Sequence, residues 1–370
     1  MIAGGPGGSG VMPDRPAVPL AGEATGAPGD GRVVSFANWP GYIDTDPADP
    51  DRHPTLAEFT RRTRISVDYS EPIGSDEQFF ARIGIPLAMG AGTGYDLAVL
   101  SDWMVTQLIR LGWVEEIRPD AVPNAARLLP ELRAAPLADV GSHSLPWQAG
   151  ITGIGYNLEA TGRQVTSVSD LLTAPDLKGR ISLPSDMRDV MGLLLLDRGA
   201  EPGSFTAVEF DLAMEEIEHA AAAGQICAVT NHYLGGLARG DIAACVAWSG
   251  DVLTVQKHNP QVHFAIPDAG GLLWTDDMVI LARAHHPRYA EQLMDYYYEP
   301  EVAARVAAAR MFISPVTGAR AAWRRTEPEL THPEYVFPPP ELLARTHYFA
   351  RLTPVQNAVY TEKFVTALGL

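Results

Sequence analysis

Short apolar runs alternate with amphipathic helical segments along the first third of this chain. Strand-like runs occupy 33–37, 65–69 and 96–100, and helical periodicity occupies 77–89 and 102–111. Strands separated by helices predict a parallel α/β sheet, because a parallel neighbour is reached only through a long crossover. Ligands of such sheets bind beyond the carboxyl ends of the strands. The residues that follow these strands are therefore candidates for a binding site.

The chain repeats this alternation in a second unit and then returns to the first. We interpret 145–157, whose glycines let an extended chain bend, as the crossing into the second unit, and 264–271 as the return. At 370 residues the chain also exceeds what one hydrophobic core usually supports. The predicted fold class is α/β, a two-lobed clamshell in which each lobe is a sheet flanked by helices and the ligand lies in the cleft between them.

The predicted boundaries divide the chain into five segments. They are a disordered leader or tether over 1–31, lobe 1 over 32–148, lobe 2 over 149–268, a return to lobe 1 over 269–340, and C-terminal helices over 341–370 that pack on lobe 2. The leader is rich in Gly, Pro and Ala and has no basic start, so no export signal is visible. No run of about 18 apolar residues predicts a membrane span. The Pro-rich stretch 332–340 is expected to be a surface excursion.

Charge and cysteine content narrow the function classes. The formal net charge of −17 argues against nucleic-acid binding, which needs basic faces. An acidic surface suits a cationic ligand, although acidity is more often a solubility feature. Cys227 and Cys245 lie in apolar runs without zinc-type spacing or a CxxC motif, so we expect buried, inert thiols. A disulfide between neighbouring strands is the alternative in an exported protein.

Aromatic rings and carboxylates recur where the apolar runs stop. The stretches concerned are 38–42, 101–103, 183–189 and 274–277, and they contain Trp39, Tyr42, Asp102, Trp103, Asp186, Asp189, Trp274 and Asp276. Indole faces and carboxylates both attract cations, so a fold that gathers these strand ends would suit a small organic cation. Ordinary roles compete with this interpretation: Ser185 or Asp186 would cap a helix, and aromatic rings at turns would plug the core. Arg188, between two acids, would partly neutralise them.

Five stretches together carry a resemblance to a known family. They are Asn38-Trp39-(x2)-Tyr42, Tyr95-Asp96-Leu97 to Ser101, Leu183-Pro184-(x)-Asp186-(x)-Arg188-Asp189, Trp248-Ser249-Gly250 and Gly270-Gly271-(x2)-Trp274-(x)-Asp276. In their order and spacing the chain resembles the extracytoplasmic substrate-binding proteins of polyamine (spermidine/putrescine) ABC transporters. The resemblance implies a type II periplasmic-binding fold, a periplasmic or lipid-anchored location, a membrane permease as partner, and a monomer without cofactor, metal or enzymatic activity.

The resemblance also implies a role for individual residues. The rings that would sandwich the methylene chain of a polyamine are Trp39, Tyr42, Trp103, Trp248 and Trp274, and the acids that would take its ammonium groups are Asp186, Asp189 and Asp276. Ser101 and Thr230 would supply hydroxyl groups, and Phe312 stands where a tyrosine can occur. Asp102 and Asp251 are acids where the family often has neutral residues; they either favour a longer or differently charged amine or face water. Gln356 is a candidate for an amide contact.

Other functions stay open at this point. The ligand could be a different cationic or zwitterionic solute, and the protein could be a sensor that signals to a receptor. A carboxylate-dependent hydrolase using Asp186 and Asp189, or Asp276 and Asp277, is a remote alternative. The chain contains no GxSxG, HExxH or P-loop motif, and no GxGxxG after a strand, so we predict that it is not an enzyme.

Overall fold

The computed structural model describes residues 31–133, 142–326 and 332–370, so nearly all of the predicted leader lies outside it. Its strands join into one continuous sheet. In chain order they are β1 (Val33–Ala37), β2 (Ser66–Ser70), β3 (Leu97–Ser101), β4 (Ser144–Asn157), β5 (Ile181–Leu183), β6 (Ile226–Val229), β7 (Ala244–Trp248), β8 (Val262–Ala265), β9 (Gly271–Ile280) and β10 (Thr346–His347).

The strand order explains how two halves share this sheet. It runs β2-β1-β3-β9-β4-β7-β5-β6, with β10 beside β9 and β8 beside β4. The predicted parallel pairing is confirmed within β1–β3 and within β5–β7. It is wrong for β4 and β9, which are antiparallel to each other; β4 is also antiparallel to β7 and β8, and β9 is antiparallel to β3 but parallel to β10. The reason is that β4 leaves the first half and β9 comes back to it, so the two strands run in opposite directions.

Helices cover the faces of the sheet. In chain order they are α1 (Pro54–Thr63), α2 (Asp76–Ala88), α3 (Asp102–Arg110), α4 (Pro130–Arg133), α5 (Leu158–Thr161), α6 (Val168–Thr173), α7 (Met187–Asp197), α8 (Ala207–Ala222), α9 (Leu234–Arg239), α10 (Ser249–Gln256), α11 (Pro287–Tyr297), α12 (Pro300–Arg310), α13 (Ala319–Thr326), α14 (Pro333–Val336), α15 (Pro340–Leu343) and α16 (Pro354–Leu368). The helix starts follow capping rules. Ser75 caps α2, and Thr206 with Glu209 forms a capping box on α8.

Each half has its own hydrophobic core. In the first, Phe36 and Tyr297 pack around Trp147, whose ring stacks on Tyr297 at a centroid distance of 4.1 Å. In the second, helices α7 and α8 pack on β5 and β7, and Tyr360 of α16 stacks on Phe210 at 4.0 Å. Two cores connected through the long strands β4 and β9 make the two-lobed clamshell that the sequence predicts.

Two expectations about local chain segments are wrong. The stretch 274–277 lies inside β9 rather than at a strand end, because the strand continues to Ile280 and its pleat directs the adjacent Asp276 and Asp277 to opposite faces. The Pro-rich stretch is partly internal: Val336 and Phe337 are buried in the first core, and the Val336 carbonyl accepts a hydrogen bond from the Ser314 amide at 3.0 Å. Burial of these two apolar side chains holds the segment against the core, although prolines surround them.

The cysteines are both free, but only Cys245 is buried, and Cys227 is exposed on β6. The buried-thiol expectation is therefore wrong for Cys227, whose side chain lies on the solvent face of a strand at the end of the sheet order. Strand β5 lies between β6 and β7. Two strand spacings of about 4.8 Å exceed the Cα separation that a disulfide spans.

Candidate functional site

One face of β4 and β9 forms a continuous floor between the two lobes. Side chains alternate across a strand, so Asp276, Trp274 and Leu272 share a face of β9. In the antiparallel register Trp274 lies opposite Gly150, and Leu272 lies opposite Thr152. A Cβ atom at Gly150 would lie 2.6 Å from Cη2 of Trp274, so only glycine lets the indole lie across β4. Four residues of strand separate the two ends of this floor by about 13 Å.

Asp276 occupies the first-lobe end of the floor. It pairs in register with Ser101 on β3, and the hydroxyl groups of Ser101 and Tyr42 face its carboxyl group. Burial raises the pKa of Asp276 well above its usual range, and the neighbouring Asp76 adds to the rise. Burial also raises the pKa of Asp76, to about 7, although its Oδ1 accepts a hydrogen bond from the Ser101 amide at 3.2 Å. Two carboxyl groups thus compete for one proton or one cation here.

Asp189 occupies the second-lobe end. Its Oδ1 accepts a hydrogen bond from the Thr152 hydroxyl at 2.5 Å, and its Oδ2 accepts one from the Trp248 Nε1 at 2.8 Å. Burial raises the pKa of Asp189, and Asp186 raises it further by repulsion. Asp186 caps α7 by accepting the backbone amide of Arg188 at 2.8 Å, so its competing capping role is real. The carboxyl group of Asp189 is the one that reaches the floor.

Aromatic rings line the space between these ends. Phe312 packs edge-on against Tyr42, at a centroid distance of 5.4 Å, and against Trp274, at 5.5 Å. A Cβ atom at Gly250 would lie 2.6 Å from the Phe312 ring, so that glycine admits the ring. Trp39 packs against both clusters of the first-lobe core. Within the described residues, the indole Nε1 atoms of Trp39 and Trp274 are buried without a hydrogen-bond partner.

Arg188 connects the lobes in a way that the sequence did not indicate. Its guanidinium lies over the ring of Trp103 on α3, 3.9 Å from the centroid, and its Nη2 donates to Oδ1 of Asn357 at 2.6 Å. One face of Trp103 therefore holds a protein cation. Asp102, beside Trp103, has a pKa raised to about 6 because burial outweighs the attraction of Arg188. The positive charge of Arg188, which the sequence predicts to lie between two acids of its own lobe, therefore also attracts Asp102 of the opposite lobe.

The remaining predicted residues have local partners. Thr230 follows β6, and its hydroxyl accepts the His232 amide at 3.0 Å. Asp251 on α10 lies 3.4 Å from the Tyr233 hydroxyl, and burial raises its pKa to about 6 against the attraction of Arg310. The Gln356 candidate is wrong, because its side chain completes the capping box of α16 with Thr353 on an exposed surface.

Mutual repulsion links the acids of the two lobes. Asp76 is repelled by Asp276 and by Asp186. Asp102 is repelled by Asp186 and by Asp277. The sequence gives no signal for Asp76 as a site residue, because an acid directly after a serine cap is typical of an ordinary helix start. In the described part of the chain, no group of three or more His, Cys, Asp or Glu side chains converges closely enough to hold a metal ion. The arrangement is an elongated acidic and aromatic site, chemically suited to a cation with charges some distance apart.

Comparisons with known proteins show which family and which proteins the chain is similar to. A family model described as bacterial extracellular solute-binding protein matches residues 55–332. The spermidine/putrescine-binding periplasmic protein of Escherichia coli (strain K12) is 26% identical over 318 residues, covering 85% of each chain. The putrescine-binding periplasmic protein PotF of the same organism is 25% identical over 336 residues, again 85% of each chain.

Solved structures match over almost their whole length. A putative spermidine/putrescine ABC transporter protein from Listeria monocytogenes has a TM-score of 0.77 at 24% identity, covering 91% of this chain and 98% of that one. The TpPotD lipoprotein of Treponema pallidum has a TM-score of 0.77 at 21% identity, covering 91% and 99%. In the described residues, no helix is long and apolar enough to cross a membrane. Because the family model covers most of the sequence, the chain belongs to the bacterial extracellular solute-binding proteins.

Proposed function

We propose that the protein captures a polyamine of the spermidine or putrescine class in the cleft and delivers it to the permease of an ABC transporter. The observation that carries this proposal is the placement of acids at both ends of one strand face, Asp189 buried and Asp276 half-buried, with Trp274 between them. Removing a di- or trication from water is costly unless each ammonium group meets an anion. Asp276 and Asp189 supply those anions, one at each end of a strand stretch about 13 Å long.

The rings and hydroxyl groups complete the proposed site. Trp39, Tyr42, Trp103, Trp248, Trp274 and Phe312 form its apolar walls, and Ser101, Thr230, Asp102 and Asp186 stand at its edges. Each ring that faces an ammonium group adds roughly 0.5–2 kcal/mol by cation–π attraction, and the ring faces also cover methylene groups. A chain of methylenes with a charged group at each end fits a floor that is aromatic in the middle and acidic at its ends.

Lobe closure follows from the same charges. Asp76 and Asp102 of the first lobe repel Asp186 of the second, so the ligand-free cleft resists full closure. A polycation cancels this repulsion and attracts both lobes at once, which favours the closed form. Arg188 supplies one such bridge within the protein, and the ligand supplies the others.

The named functions of the relatives support this proposal, since proteins similar over most of this chain bind spermidine or putrescine. We extend the proposal to a monomeric, non-enzymatic protein located in the periplasm or tethered to the cell surface by a lipid. The lobes would be 32–148 with 269–340, and 149–268 with the C-terminal helices of 341–370. In this proposal, the polar residues of the interlobe floor serve ligand binding and lobe closure.

Isothermal titration calorimetry of the purified protein tests the proposed function. Putrescine, spermidine and spermine are compared with lysine, a zwitterionic betaine and an anionic dicarboxylate. We expect micromolar or tighter binding of at least one polyamine and no heat from the dicarboxylate. Preference for the dicarboxylate, or for the zwitterion over every polyamine, would refute the proposal.

A further inference from the structure

Gln148 on β4 is buried without a hydrogen-bond partner for its side chain. Its exposed fraction is 0%, and within the described residues neither its Oε1 nor its Nε2 meets a partner. A buried amide normally pairs both atoms, and an unpaired one destabilises the fold. Gln225 shows the usual arrangement, since its buried Nε2 donates to the carbonyl groups of Leu171 and Ala174 at 3.0 Å each.

The register places Gln148 at the acidic first-lobe end of the proposed site. A bulge in β4 turns Trp147 into the core, where its Nε1 donates to the Tyr42 carbonyl at 3.1 Å. Directly after the bulge, Gln148 lies opposite Asp276. Residues opposite each other in an antiparallel pair have Cβ atoms about 5 Å apart on the same face. The amide therefore stands beside the carboxyl group that the proposed function assigns to an ammonium group.

A primary ammonium group has three N–H donors. Asp276 accepts one, and a neighbouring hydroxyl oxygen such as that of Ser101 accepts a second. From its place opposite Asp276, the amide oxygen of Gln148 would accept the third, while its NH2 group would turn to donate to the Asp276 carboxylate. A leucine or methionine would fill the same volume without burying a polar group, so stability alone does not favour glutamine here.

We propose that Gln148 is a specificity-determining residue that selects ligands ending in a primary ammonium group, a role that rests on the proposed polyamine function. A terminal trimethylammonium group keeps the charge but has no N–H donor for the amide oxygen. Asp276 attracts both kinds of group through charge, whereas Gln148 distinguishes them through hydrogen bonding.

The test is titration calorimetry of wild-type protein, Gln148→Leu and Gln148→Met with spermidine and with its terminally trimethylated analogue. We expect both variants to bind spermidine about ten- to hundredfold more weakly, as for a lost hydrogen bond to a charged group. Their affinity for the trimethylated analogue should change less than threefold. Without ligand, both variants should unfold at the same or a higher temperature than wild type, because an unpaired amide is gone.

Gln225→Leu is the matched control. It removes a paired buried amide, so it should lower the unfolding temperature and leave the ratio of the two affinities unchanged. Wild-type binding of spermidine combined with an unchanged ratio in Gln148→Leu and Gln148→Met would overturn the role of Gln148 alone. Equal weakening for both ligands together with a lowered unfolding temperature would also overturn it, since that pattern indicates a structural role. A wild-type protein that binds no polyamine would refute the proposed function itself.

Discussion

Replacing Asp276 with alanine separates the contribution of this acid to binding from its contribution to stability. Truncating one partner of a buried, hydrogen-bonded charge pair costs about 2–5 kcal/mol, which is about 30- to 5,000-fold in Kd. Asp276 is the half-buried acid at its end of the floor, with the buried Asp76 as a neighbour that retains part of the attraction. We therefore expect the lower part of that range, at least thirtyfold, for spermidine by titration calorimetry.

The thermal stability of ligand-free Asp276→Ala should not fall, in contrast to its spermidine affinity. Burial raises the pKa of Asp276, so its ionisation opposes folding at neutral pH. Alanine removes that penalty, and we expect the unfolding temperature of Asp276→Ala at pH 8 to equal or exceed that of wild type. Asp120→Ala, an exposed acid in a turn, makes the same change in net charge and should alter neither quantity. Unchanged spermidine affinity in Asp276→Ala would remove this residue from the site and refute the reasoning.

Three further predictions follow from the same geometry. Gly150→Ala should weaken spermidine binding at least tenfold and shift the tryptophan fluorescence, because the new methyl group displaces the Trp274 indole. Spermidine affinity should rise between pH 5 and 8, because acids such as Asp76, whose pKa is about 7, must ionise to bind the ligand. The rise is up to tenfold per pH unit for each proton released. Calorimetry in buffers of different ionisation enthalpy counts the released protons. Arg188→Gln removes an interlobe contact with Trp103 of about 0.5–2 kcal/mol, so small-angle X-ray scattering should show a larger radius of gyration without ligand.

Each of these predictions has a contrary outcome. Gly84→Ala, on α2, meets only ordinary contacts with Trp113 at 3.5 Å and serves as the control for the glycine substitution. Equal fluorescence in both glycine variants would contradict the close packing of the indole. Affinity that stays flat with pH, with no proton release, would mean that the acids are already ionised in the ligand-free protein. An unaltered radius in Arg188→Gln would mean that the stacked pair does not hold the lobes together.

The pH dependence of the ligand-free protein has a defined sign. The pKa of Asp76 is about 7 in the folded state and near 4 in the unfolded state. Asp76 therefore holds more protons in the folded protein than in the unfolded chain between these values, so its contribution to stability is greatest below about pH 4 and falls as the pH rises to 7. Thermal unfolding should lose this contribution of Asp76 over the pH range in which the spermidine affinity rises.

Local periodicity in the sequence predicts most of the strands and helices, because side-chain alternation and capping act within a few residues. The direction of β9 was not predictable in this way, since it depends on the chain returning from the second lobe. Trp274 and Asp276 looked like a strand end because acids rarely interrupt an apolar strand. In the structure they lie within β9, where the pleat directs them to the interlobe face.

The predicted convergence of distant residues was the harder inference. Asp189 and Trp248, 59 positions apart, do form a hydrogen bond. The stacking of Arg188 on Trp103 was not predictable, because a guanidinium on a long flexible stem can turn to either lobe. Gln148 gave no signal in the sequence at all, since its significance comes from the absence of a partner inside a folded strand pair.

The acids of the floor explain why the ligand-free site resists closure and why it selects cationic ligands. Each buried carboxyl group destabilises the ligand-free fold, and the acids repel one another across the cleft between the lobes. A bound polycation removes both penalties together, so part of its binding free energy comes from relief of unfavourable interactions within the protein. A neutral or anionic solute of the same shape relieves neither penalty. Discrimination therefore arises from the cost of the empty site as much as from contacts in the filled one.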